Sequence, residues 1–255
     1  MPIAAGCYYF AHAADDHSRP PVILIHGAGG DHLSWPPQLR RLPDQRMFAP
    51  DLPAHGKSEG IGSHAIEDYV HDVLEFMSEL KIYSAVLVGH SMGSAVALSA
   101  AIHFPERVTA LGLIGSGGRL RVAPALLRGA SDPSTFENAV KMMVDASFSQ
   151  SSRIKELSTQ RMIETRPTVL YGDLMACEAF DVMNQLCKLS LPALMVCGSD
   201  DRMTPLPYSE FLCDHIAGAR LEVVPNAGHM VMLEQPDVVA GILADFLNSI
   251  SHHSG

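Results

Sequence analysis

The five residues Gly89-His90-Ser91-Met92-Gly93 set a serine between two glycines. The apolar run Ala85-Val86-Leu87-Val88 before them reads as a buried strand, and Ser94 to Ala101 after them reads as a helix. A G-x-S-x-G sequence at a strand-to-helix turn holds its serine in a strained backbone conformation with the hydroxyl raised above the sheet. The positions two before and two after must then be small. The N–H of Met92 falls at the helix start, where it can stabilise a developing negative charge.

A serine hydroxyl is a weak nucleophile until a base takes its proton, and that base needs a carboxylate to orient it. The base candidate is His229, in Pro225-Asn226-Ala227-Gly228-His229 after the last expected strand. Among 13 histidines it combines a strand end, a neighbouring glycine and the right chain order. His26, His55 and His90 compete, since each follows a strand; His26 and His90 are read as hydrogen-bonding neighbours of the site. His12, His17, His64, His71, His103 and His215 carry no spacing argument. The acid candidate is Asp201 in Gly198-Ser199-Asp200-Asp201-Arg202, with Asp200 as its competitor. The loop after the preceding strand, Gly115-Ser116-Gly117-Gly118, holds no carboxylate, which favours Asp201. Ser91, Asp201, His229 is also the chain order expected of a serine elbow on a parallel sheet.

The oxyanion needs a second donor, expected from Ala28 N–H in the loop His26-Gly27-Ala28-Gly29-Gly30. Such a loop can also cradle phosphate. Its glycine spacing does not match G-x-G-x-x-G and no G-K-[ST] follows, so no nucleotide cofactor is expected, and no metal either.

The elements that must position these groups are legible in order. Tyr8-Tyr9-Phe10 reads as a short edge strand, Val22 to Ile25 as a strand buried on both faces, and Met47 to Pro50 as the next. Ser34 to Leu42 suggests a short helix. From Ala65 to Lys81 the residues Ile66, Tyr69, Val70, Val73, Leu74, Met77 and Leu80 recur at helical spacing. Val108 to Ile114, Ala193 to Cys197 and Leu221 to Val224 are further strands, with helices near Tyr208 to Ile216 and Pro236 to Ile250. The alternation predicts an α/β fold: a mostly parallel central sheet with helices on both faces. Residues 119–190 lack a buried strand run and read as an inserted helical cap on a core formed by 1–118 and 191–250, with 251–255 as a disordered tail. Within the cap, Met142, Met143, Met162 and Met175 are candidates for an adaptable apolar pocket wall, and core packing between cap helices is the alternative.

The chain of 255 residues carries a formal net charge of -10, which argues against nucleic-acid binding. No basic region followed by a long apolar run opens it, and no run approaches the ~20 residues that span a bilayer. Cys7, Cys177, Cys187, Cys197 and Cys213 are odd in number and lie in apolar surroundings. They read as reduced thiols of a cytoplasmic protein.

Several segments resemble the α/β-hydrolase superfamily, and the resemblance covers nearly the whole chain. His26-Gly27 is similar to its oxyanion loop. Asp51-Leu52-Pro53-Ala54-His55-Gly56-Lys57-Ser58 is similar to D-x-P-G-H-G-x-S, with Ala54 in place of glycine. His103 to Val108 resembles H-P-E-R-V, and Gly198 to Pro205 resembles G-x-x-D-x-x-x-P, in which Asp201 matches the acid. The family has eight strands; the N-terminal part here looks shorter, so the first strand is expected to be missing. The resemblance implies a serine hydrolase acting on a small-molecule carboxylic ester through an acyl-enzyme. Lactonases, carbon–carbon bond hydrolases and cofactor-free haloperoxidases are similar in motif, and a small-molecule sensor that keeps the triad is the non-enzyme alternative.

Overall fold

The computed structural model describes residues 2–14 and 18–251; the expectations for His17 and for 252–255 lie outside these. Eight strands form one sheet: β1 (Ile3–Ala4), β2 (Cys7–His12), β3 (Val22–Ile25), β4 (Met47–Pro50), β5 (Ala85–His90), β6 (Val108–Ile114), β7 (Ala193–Gly198) and β8 (Arg220–Val224). Their spatial order is β1-β2-β4-β3-β5-β6-β7-β8, antiparallel at β1·β2 and β2·β4 and parallel from there on.

Two expectations are corrected here. The first strand is present as the two residues of β1, too short for any alternation to reveal it. β2 is therefore not the edge, since Tyr8 pairs with Ile3 on one side and Tyr9 with Pro50 on the other.

The central strands are apolar without alternation because both faces are covered. Ile23, Ile25, Leu87, Leu111 and Leu113 join the core on one side, while Val22, Leu24, Val86, Val88 and Ala110 join the core on the other. Helix α1 (Pro37–Arg40) packs on the second side with α9 (Val231–Glu234) and α10 (Pro236–Ser251). α10 runs one residue into the segment expected as a tail. On the first side lie α2 (Ile66–Glu79) and α3 (Met92–His103), with α8 (Leu206–His215) beside β7. The apolar stripe read in α2 is buried, from Ile66 through Met77; each such side chain contributes on the order of 2 kcal/mol relative to exposure.

Between β6 and β7 the chain is helical: α4 (Pro124–Ser131), α5 (Phe136–Ser147), α6 (Arg153–Glu164), α7 (Pro167–Ala179) and a 3-10 turn at Met183–Lys188. The insert leaves and rejoins the sheet through one neck, where Arg119 bridges Asp181 and Val182 N–H donates to Gly118 C=O at 2.8 Å. Among the described residues all five cysteines are free; Cys187 is exposed and Cys213 half-buried, which corrects the expectation of uniformly apolar surroundings.

Helix α3 is buried nearly all round and carries small residues that let its backbone approach the sheet closely. A Cβ at Gly93 would stand 2.1 Å from the carbonyl oxygen of Ile25, and one at Gly89 would stand 2.1 Å from that of Gly93. Backbone atoms cannot retreat as a flexible side chain can. Gly93→Ala is therefore expected to destabilise the fold by about 3 kcal/mol or more. Urea unfolding measures this, and a midpoint equal to that of the parent protein would contradict the close approach.

Candidate active site

Ser91 sits between the end of β5 and the first turn of α3 with φ 53° and ψ −116°. For a non-glycine residue that conformation costs about 1–3 kcal/mol. It is held from several sides. Ser91 N–H donates to Ile114 C=O at 3.0 Å, and Ser94 Oγ donates to Gly89 C=O at 2.7 Å. The N–H of Met92 belongs to the opening turn of α3, where helix geometry supplies no acceptor.

His229 follows β8, and its ring is bonded through Nδ1 to Asp201 Oδ2 at 2.9 Å. Asp201 lies in the loop after β7 and is 6% exposed, whereas Asp200 is exposed and accepts from Ser199 Oγ. Of the two carboxylates, the buried Asp201 is the one bonded to His229. Desolvation works to raise the Asp201 pKa, but the His229 ring and the donors of Thr204 outweigh it, and the carboxyl is held below its ordinary value. Ser91 and His229 line one small cavity of about 40 Å³, together with Gly27, Ala28 and His90.

Two positioning groups escaped the sequence reading. Thr204 donates its backbone N–H to Asp201 Oδ1 at 2.9 Å and its hydroxyl to Oδ2 at 2.9 Å. The pattern Asp201-Arg202-Met203-Thr204, an aspartate capping its own turn, was the available signal. Glu234 in α9 accepts from Gly228 N–H and from Ser149 N–H, tying the His229 loop to the helical insert. No local spacing marks that long-range pair. Gly115, at φ 55°, leaves room for the imidazole: a Cβ there would meet His229 Nδ1 at 2.9 Å.

The competing histidines are used otherwise. His90 Nε2–H donates to His229 C=O at 3.1 Å, and burial, reinforced by the His229 ring, lowers its pKa to about 3. His26 bridges Gly27 C=O and Leu52 N–H, and burial with His55 nearby lowers its pKa to about 4. His55 is bonded to Asp173 instead.

Of the four methionines, Met143 lines both the small cavity and an adjoining apolar cavity of about 190 Å³ that also reaches Ser91 and Ala28. Of these two cavities, Met142 lines the larger and Met162 the smaller. Met175 lies on the outer face of α7, 36% exposed, and lines neither; a helical spacing does not say which face turns inward.

His26 and His90 fold as neutral rings, while in the unfolded chain they titrate near 6.5. Between pH 6.5 and about 4 the unfolded chain binds more protons, so stability rises with pH in that window. The urea midpoint is expected to be lower at pH 5 than at pH 7, and His90→Gln should narrow the difference. An equal drop in the variant would remove His90 from the account.

Comparison with known proteins adds a separate line of support. A family model described as the alpha/beta hydrolase family matches residues 22–242. The chain is 30% identical over 249 residues to a 2-hydroxy-6-oxo-6-phenylhexa-2,4-dienoate hydrolase of Comamonas testosteroni, covering 89% of this chain and 87% of that one. It is 27% identical over 245 residues to 3-oxoadipate enol-lactonase 1 of Acinetobacter baylyi, covering 91% and 90%. A solved thermophilic esterase superposes with a TM-score of 0.82 at 30% identity, covering 96% of this chain and 98% of that one. With its matching region running from β3 through the elbow to the His229 loop, the chain belongs to the alpha/beta hydrolase family.

Proposed function

We propose that the protein is a carboxylic ester hydrolase for substrates with a small or medium apolar group, with Ser91 as nucleophile, His229 as general base and Asp201 as its orienting carboxylate. The observation that carries this is the position of Ser91: it opens onto an apolar cavity of about 190 Å³ and shares a second wall with the His229–Asp201 pair. Ser91 Oγ attacks the ester carbonyl as His229 takes its proton. The oxyanion is received by Ala28 N–H and Met92 N–H. His229 returns the proton to the departing alcohol, then activates the water that frees the acyl group.

The helical insert over residues 119–190 acts in this scheme as a cap that shapes the pocket. Leu120, Val122, Leu126, Met142, Met143 and Leu174 give the larger cavity its apolar lining, and all six come from the insert. Its volume exceeds the ~150 Å³ of a cavity that takes up benzene, so a phenyl group or an alkyl chain of about four to eight carbons fits. The solved esterase at 30% identity supports the ester reading, and the relatives named for carbon–carbon and enol-lactone cleavage define the alternatives.

A panel of 4-nitrophenyl esters of rising acyl length, with a lactone and a vinylogous diketone alongside, separates these readings. Turnover is expected to peak at about four to eight carbons, and Ser91→Ala should lower it by about 10⁴-fold or more while the protein stays folded. Retained ester turnover in that variant would end the proposal. A single slow turnover in the parent protein would point to a sensor.

A further inference from the structure

A second group of buried ionisable residues lies behind the loop of Ala28, and the reaction as described does not use it. Asp173 stands in the middle of α7 and is fully buried. A carboxylate there is costly unless donors surround it, and three do, each from a different part of the chain. Oδ2 accepts from Gly29 N–H at 2.8 Å and from His55 Nε2–H at 2.8 Å. Oδ1 accepts from the Tyr69 hydroxyl in α2 at 2.6 Å. Burial, with Asp173 beside it, raises the Tyr69 pKa, so the phenol stays a donor.

The partners also fix the protonation of the two histidines, whose ring centroids are 4.9 Å apart. Nδ1 of His55 faces the Pro53 carbonyl at 3.0 Å and Nε2 faces Asp173, so both nitrogens meet acceptors and both carry hydrogen. Burial opposes that charge, but Asp173 prevails and the His55 pKa is raised. Nε2 of His26 instead accepts from Leu52 N–H at 3.0 Å, leaving Nδ1–H to donate to Gly27 C=O at 2.9 Å. One ring is an imidazolium paired with Asp173, and its neighbour is neutral.

These contacts pin the peptide planes on either side of Ala28. Gly27 C=O and Ala28 N–H are opposite ends of one plane, and that carbonyl accepts from both His26 and Gly30 N–H, the latter at 3.0 Å. Asp173 holds the N–H of the next plane. Gly29, at φ 63°, allows the reversal into the following plane, whose Gly30 N–H returns to Gly27 C=O. His26 and Gly30 are local to the loop. From the helical insert, Thr165 Oγ1 donates to Gly29 C=O at 3.3 Å, and among the described residues Asp173 is the group that reaches the loop as a charge.

We propose that Asp173 is a positioning residue for the oxyanion hole: seated by α7, it orients the Ala28 loop, so that the hole is complete only when the insert is docked. The proposal rests on the reading of Ala28 N–H as an oxyanion donor. His55 has a defined part in it. Its positive charge cancels that of Asp173, which would otherwise oppose the negative charge developing one residue along the loop.

The test compares Asp173→Ala, which removes the acceptor for Gly29, with Asp173→Asn, whose amide oxygen can still accept that N–H. On a short-chain nitrophenyl ester, kcat of Asp173→Ala is expected to fall about 30-fold, less than the 10²–10³ of deleting a donor outright. KM should stay within about threefold, because the lost interaction belongs to the transition state. Affinity for phenylboronic acid, which forms a tetrahedral anionic adduct with a serine hydroxyl, should weaken by a similar factor. Asp173→Asn should recover part of both losses. Where a stranded imidazolium unfolds the single variants, Asp173→Ala combined with His55→Gln carries the same measurement. Folded variants with kcat and boronate affinity within about twofold of the parent protein would overturn the proposal. If instead the parent protein is insensitive to boronate and Ser91→Ala keeps its activity, the serine reading itself falls and the positioning role falls with it.

Discussion

The contact between the first turn of α3 and the end of β3 is the constraint on which the site depends. The Gly93 backbone lies so near the Ile25 carbonyl that no Cβ fits between them. That proximity turns the chain through Ser91 with a left-handed φ and exposes the first N–H groups of α3 at the sheet's carboxyl edge. Strain of about 1–3 kcal/mol at one residue is small against the burial of a whole helix. The packing of α3 therefore holds the serine in place, and the same packing brings the Ala28 loop, which continues β3, alongside it.

Around the elbow, the chain repeatedly places backbone polar groups and histidines so that each satisfies the other. His90 supports the backbone of His229, His26 supports the plane that bears Ala28 N–H, and Thr204 with Met203 N–H donates to Asp201 beside His229. Buried polar groups without partners are costly, so full pairing fixes one arrangement over its neighbours. In the proposed mechanism, that pairing supplies the preorganisation a developing oxyanion requires.

The sequence made the sheet legible because strands buried on both faces appear as unbroken apolar runs, and the stripe of α2 appeared at its own period. The positions of Ser91, Asp201 and His229 were legible for a related reason: each ends a strand, and in a parallel sheet strand ends converge. What stayed hidden was long-range. β1 has two residues and no pattern to detect. Met175 shares its helix with Asp173, yet nothing in the spacing told which of them faces inward. Asp173 itself reads as an ordinary polar residue of an amphipathic segment, since its three donors come from positions 29, 55 and 69.

That last group joins the two parts of the molecule. The sheet supplies rigid backbone, and the helical insert supplies the apolar walls around the larger cavity. A pocket built this way can change its lining without disturbing the elbow, provided the insert always seats in one register. A buried carboxylate meeting three fixed donors is well suited to enforce register. Apolar side chains tolerate sliding, but moving Asp173 by one helical position would strand its charge and take the acceptor from Gly29 N–H, His55 Nε2–H and the Tyr69 hydroxyl together. The cost falls on every misdocked arrangement and spares the correct one. The helices that line the larger cavity are thereby tied to the loop that bears Ala28 through a buried charge, beside the weaker hydrogen bond from Thr165 Oγ1 to Gly29 C=O.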